Sequence, residues 1–163
     1  MDEWVLDHGL AQPQYLVAAE LLDTALKLFY VGECYYAALH LAGGAEELLA
    51  KLLEGQGRTA AFADMVEAVV TLSPLVDPGD PLDPKWVKWR LNEARNATKH
   101  DRPDGHVRFD PRAEAQDLLD RAVSNYYCAM EYVPLPETVL IRRFLGHEHL
   151  GKLWCPSDQP GTG

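Results

Sequence analysis

Apolar residues recur at three- and four-residue steps along most of this chain, and no alternating run is long enough for a sheet strand. Leu21, Leu22, Ala25, Leu28 and Phe29 form one such stripe, predicting a first helix from about Pro13 to Val31 that ends at Gly32. A second helix is expected from about Glu33 to Glu54, packed through Ala38, Leu41, Ala42, Ala45, Leu48, Leu49 and Leu52. Gly55 and Gly57 would end it. Thr59 is placed to cap a shorter helix through Val70, with Phe62, Met65, Val66 and Val69 on its apolar side. Pro74, Pro78, Gly79, Pro81 and Pro84 predict a loop from Ser73 to Pro84. Pro84 then opens a fourth helix, in which Val87, Leu91, Ala94 and Thr98 face one way and which ends near His100. Arg102-Pro-Asp-Gly105 predicts a turn, and Asp110-Pro111 a cap and first turn for a fifth helix to about Tyr132. Beyond Pro134 and Pro136, a short helix is expected over Val139 to Leu145, followed by a flexible tail. The pattern specifies an all-α, four- or five-helix bundle whose short connections make neighbours antiparallel. We place the bundle at residues 1–132 and a C-terminal extension at 133–163.

Composition narrows the setting. At 163 residues with 47% hydrophobic content, one domain can bury a core without staples. Cys34, Cys128 and Cys155 are odd in number and far apart, which suggests neither a disulfide framework nor a zinc Cys-x-x-Cys pair. His147, His149 and Cys155 fit no standard metal spacing, so neither metal nor cofactor is expected. The acidic start MDEWVLDHG lacks a secretory pattern, and no apolar run approaches the roughly 18 residues of a membrane span. These features predict a cytoplasmic protein with no membrane partner.

The net charge of −10 argues against non-specific coating of nucleic acid, which needs clustered Lys and Arg. The distribution is uneven, however. Residues 85–112 carry eight basic residues against four acids, a net +4, and leave −14 for the remainder. An anion would bind in this window, where Lys88, Lys99 and Arg102 are the candidate binding residues; a solvated helix face is the alternative.

Within it lies Arg95-Asn-Ala-Thr-Lys-His100. At about 100° per residue, Arg95 and His100 point roughly 140° apart while Asn96 and His100 share a face, and Arg95 has reach enough to bend toward the same cleft. Histidine moves protons near neutral pH, and a forked guanidinium stabilises charge building on phosphate oxygens. With nine Arg and six His in the chain, the bare spacing would arise by accident roughly 0.3 times; Arg142 and His147 repeat it. Requiring Asn after the Arg lowers that expectation below about one in a hundred. The alternative is a salt bridge from Arg95 to Glu93 or Asp101, with His100 as a helix cap.

This stretch resembles the Arg-x(4–6)-His signature of the HEPN family, and the Ala- and Tyr-rich second helix is similar to the helix that precedes the motif there. The resemblance covers roughly Pro13 to Tyr132. It implies an all-helical domain, commonly a homodimer, in which Arg95, Asn96 and His100 form a catalytic cleft composed across the dimer axis. The implied reaction is metal-independent RNA cleavage by attack of a ribose 2′-hydroxyl on its neighbouring phosphate. Some toxin members carry a Tyr two residues after the His; here Arg102 stands there, so regulation through that Tyr does not carry over. Many relatives keep the fold only for binding. The reading therefore stays open between a HEPN-like RNase and a HEPN-like module for a nucleotide or a partner protein. A third reading is an accessory or antitoxin-linked protein that works through its tail.

Other residues receive structural readings. His40 is read as packed or interfacial, and Tyr30, Tyr35 and Tyr36 as core and interface rings. Trp86 and Trp89 are expected to pack over the Pro-rich loop, with stacking on a base as the alternative. Gly43-Gly44 inside a helix costs about 2 kcal/mol against two Ala, which implies close approach of another helix, in this chain or a second subunit.

Overall fold

The three- and four-residue steps close into helices throughout. In the computed structural model, which describes residues 10–100 and 102–148, α1 spans Gln14–Lys27, α2 Tyr35–Gly55, α3 Ala61–Val76, α4 Pro84–Leu91, α5 Glu93–Ala97, α6 Pro111–Ala129 and α7 Val139–Glu148. A π-helical turn, Leu28–Gly32, extends α1, and no strand forms among the described residues. The chain is all-α.

The core is built on α2, which packs against α1 and α6. Ala38, Ala42 and Ala45 are fully buried on α2 and let its neighbours approach, while Leu39, Leu49 and Leu53 fill the space between them. Each such leucine contributes about 1.5–3 kcal/mol by leaving water. α2 ends where glycine permits. Gly57 has φ +74°, and the Arg58 N–H donates back to the Leu53 carbonyl at 2.9 Å, closing a Schellman turn. Asp110 caps α6 as its sequence predicts, accepting from the N–H groups of Arg112 (2.9 Å) and Ala113 (3.3 Å).

From the C-terminal extension, Leu135, Ile141 and Phe144 are buried in the same cluster as α1, α2 and α6. The tail from residue 149 lies outside the described residues. Three expectations change. First, α3 runs six residues past Val70, through Pro74. Proline lacks the N–H that would bond the Val70 carbonyl, and Ser73 Oγ donates to it instead at 2.8 Å. Second, Thr59 does not cap α3. Asn125 of α6 does, its Oδ1 accepting from the Ala61 N–H at 2.9 Å. Third, the expected fourth helix breaks at Asn92 into α4 and α5, leaving His100 beyond the end of α5.

Candidate functional site

Asp83 starts α4 by accepting from the Lys85 N–H at 3.1 Å, with Pro84 in the first turn. Only Val87 of α4 is buried, so little holds this helix to the core. Asn92, at φ −102° and ψ 1°, interrupts the helical path, and α5 follows as little more than one turn. The chain continues tightly after it, the His100 N–H donating to the Asn96 carbonyl at 3.0 Å. The motif thus sits on a short helix and the turn behind it, and its side chains divide between two faces.

Arg95 turns inward. Its aliphatic stem lies on Gly43 of α2, where an added Cβ would come within 3.1 Å of Nε. Its Nη1 lies 3.6 Å from Glu46 Oε2, and its Nη2 donates to Glu47 Oε2. The side chain is 15% exposed. Lys99 points to the same carboxylate, 4.0 Å from Glu47. Arg95 therefore does not bend toward His100 but docks α5 onto α2. Among the described residues its carboxylate partners are Glu46 and Glu47 and not the local Glu93; Asp101 lies outside the described residues.

The two glutamates differ although they are adjacent. Burial pushes the Glu46 carboxyl above the usual range, against the pull of Arg121 and Arg95. A hydrogen bond from Lys51 holds Glu47 below it, helped by Arg95. Arg121 of α6 is buried beside Glu46 under the Phe62 ring, 5.1 Å from its centroid, and burial lowers its pKa. Among the described residues its Nε and Nη1 have no hydrogen-bond partner, nor has Arg95 Nε.

Asn96, His100 and Arg102 turn outward. With Trp89, Glu93 and Pro103 they line a pocket of about 170 Å³. Arg102 Nη2 stands 3.6 Å from Glu93 Oε1, while Glu93 Oε2 accepts from Arg90 at 3.0 Å. Lys88 is exposed and makes no ion pair among the described residues. Of the six residues singled out in the sequence, three meet in this pocket. Arg95 and Lys99 serve α2, and Lys88 faces water.

His40 is exposed rather than packed, and its Nδ1 lies 3.3 Å from Thr98 Oγ1. The Thr98 hydroxyl already donates to the Arg95 carbonyl at 2.9 Å, so the Nδ1–H of His40 must be the donor to it. Trp86 and Trp89 stand half in water. The Gly43-Gly44 pair does not require a second subunit: Gly43 makes room for Arg95 and Gly44 for Leu21 of α1.

Sequence reasoning missed Glu46, Glu47 and Arg121. One local signal existed, since Gly43, Glu46 and Glu47 stand at i, i+3 and i+4 on α2, a gap beside two carboxylates. Among the described residues no group of His, Cys, Asp or Glu is arranged to hold a metal ion; His149 and Cys155 lie outside them. No helix of the described residues is long and apolar enough to cross a membrane. Comparison with protein-family models, with curated proteins and with solved structures finds no match for this chain.

Proposed function

We propose that the chain is a HEPN-like helical module that binds a nucleotide, free or as a unit of RNA, in the pocket beside α5. The observation that supports this reading is the division of the motif: Asn96, His100 and Arg102 share a pocket with Trp89, while Arg95 is engaged by Glu46 and Glu47. The chemistry of the lining suits such a ligand. Arg102 supplies a fork of donors for phosphate oxygens, with His100 as a second donor. The Asn96 amide can pair with a base edge or a ribose hydroxyl, and Trp89 offers a ring face for stacking. At about 170 Å³ the pocket is smaller than the roughly 300–1,000 Å³ typical of sites that enclose a whole ligand. It would therefore take the phosphate and sugar and leave the base on the exposed indole. Calorimetric titration with adenosine monophosphate at low salt tests this. Saturable binding that weakens by about tenfold or more in His100→Ala supports it, the worth of one hydrogen bond to a charged group; no heat at any concentration sinks it.

A second reading, the metal-independent RNase, draws on one observation: an arginine and a histidine do share the pocket, but they are Arg102 and His100. In that reading the 2′-oxygen forms a bond to phosphorus as the P–O5′ bond breaks. His100 takes the 2′-hydroxyl proton, and water or His100 of a second subunit protonates the leaving 5′-oxygen. Arg102 stabilises the pentacoordinate state. RNA cleaved in the presence of chelator to 2′,3′-cyclic phosphate ends, with DNA spared, would favour this reading over pure binding.

A further inference from the structure

The pocket beside α5 holds a carboxylate that a plain phosphate site would not need. Glu93 lines it together with Arg102 and His100. Glu93 Oε2 accepts from Arg90 at 3.0 Å, so that oxygen is engaged. Glu93 Oε1 stands 3.6 Å from Arg102 Nη2, an ion pair too long for a normal hydrogen bond, and accepts none among the described residues. The Glu93 side chain is 30% exposed and that of Arg102 35%, so both stay within reach of a ligand. Glu114 of α6 feels the charges of Arg90 and Glu93 but does not line the pocket.

Charge and donor chemistry narrow the ligand. The fixed charges of the lining cancel, Glu93 against Arg102. A bare phosphate would gain the guanidinium and be repelled by the carboxylate. An ionised carboxylate only accepts hydrogen bonds. A ligand that satisfies both carries an anion for Arg102 and, close to it, a donor for Glu93 Oε1. A space of about 170 Å³ takes phosphate and sugar and leaves the base outside on Trp89, so the donor is a sugar hydroxyl. The 3.6 Å between the two partners requires hydroxyl and phosphate to be neighbours. In a ribonucleoside 3′-phosphate they stand on adjoining ring carbons. A 5′-phosphate hangs from the carbon outside the ring, away from both hydroxyls. A 2′-deoxynucleoside 3′-phosphate lacks the neighbouring hydroxyl.

We propose that Glu93 is the specificity residue of this pocket, accepting the 2′-hydroxyl of a ribonucleoside 3′-phosphate while Arg102 and His100 take the phosphate. A free 3′-nucleotide and a 3′-linkage within RNA share this chemistry. The inference rests on the nucleotide reading and adds to it which phosphate enters and why the sugar matters. Arg90 has a part at one remove, since it holds the other oxygen of Glu93 and so turns Oε1 toward the ligand.

Calorimetric titration of the full chain at low salt with adenosine 3′-monophosphate, adenosine 5′-monophosphate and 2′-deoxyadenosine 3′-monophosphate tests it. The first should bind at least about tenfold tighter than either of the others, the worth of one hydrogen bond to a charged group. The dinucleotide ApA separates the two sources: tighter binding than the 3′-nucleotide assigns the pocket to an RNA linkage, weaker binding to a free terminal phosphate. Glu93→Ala should bring the ribose and deoxyribose 3′-phosphates to within about twofold of each other, and Glu93→Gln, which keeps an acceptor oxygen without its charge, should retain part of the preference. If Glu93 only holds Arg90 and Arg102, its loss shifts all three ligands by one factor and the preference survives. That result overturns the proposal. Equal affinity of wild type for the ribose and deoxyribose ligands, or a preference for the 5′-phosphate, also overturns it and leaves nucleotide binding standing. Binding of none of the three removes the nucleotide reading and the inference with it.

Discussion

The half of the molecule made by α1, α2, α6 and α7 and the flank made by α3, α4 and α5 follow different rules. α2 buries eight residues and α6 nine, whereas α3, α4 and α5 bury one each, so stability resides in the first half and exposed chemistry in the second. The flank is held by a few specific ties instead of a core. Arg95 lies on Gly43 and reaches Glu46 and Glu47, Asn125 caps α3, and His40 bonds Thr98. A polar residue in such a region can therefore be structural, and the motif arginine is the case in point.

Truncations matched across the two halves should give the largest contrast. Leu119→Ala, in the core, should cost about 2–5 kcal/mol of unfolding free energy, while Leu75→Ala on the flank should change it by less than about 0.5 kcal/mol. Urea denaturation of both variants checks this, and equal losses would erase the distinction. A smaller effect is expected at the tie between the halves. Asn125→Ala removes the cap of α3 and should cost about 1–2 kcal/mol, with amide exchange quickening in α3 before α2. Uniform quickening would mean that α3 is no separate unit.

The smallest effect is one of sign. The Glu46 pKa is raised in the folded chain, so its contribution is full below the ordinary carboxylate range and is lost as pH rises through the folded value. The Glu47 pKa is lowered, so its contribution is present above that range and is lost as pH falls. Melting temperatures from about pH 4 to neutral should show wild type losing ground to Glu46→Gln as pH rises and gaining on Glu47→Gln. Parallel profiles for the two variants would remove the inward and outward assignment of these neighbours.

What could be read in advance was what is local. The stripes of α1, α2 and α6 repeat within one or two turns, and Asp110 reaches only two and three residues ahead, so the all-α class and the α6 cap were visible in the chain itself. The turn at Arg102–Gly105 closes as expected, with the Gly105 N–H donating to the Arg102 carbonyl at 2.9 Å. The extra length of α3 was hidden because a serine hydroxyl substitutes for the N–H that Pro74 lacks, and composition reads prolines as loop. Arg95 was misdirected because its acceptor lies 48 residues away on α2, beyond the reach of spacing arguments. The glycine pair signalled a close approach but not its identity, which is a side chain of α5 and one of α1.

The central claim is that the stretch from Arg95 to Arg102 divides its labour, with Arg95 fastening the flank and His100 and Arg102 lining the pocket proposed to take a nucleotide. Arg95→Ala and Arg102→Ala, compared side by side for melting temperature and calorimetric affinity for adenosine monophosphate, test it most directly. Arg95→Ala should lose on the order of 2–3 kcal/mol of stability, because Glu46 stays buried with one partner fewer, and should keep its affinity within about twofold below its melting temperature. Arg102→Ala should melt like wild type and bind about tenfold or more weakly. The reverse pattern, a stable Arg95→Ala variant that no longer binds and an Arg102→Ala variant that does, would contradict the account.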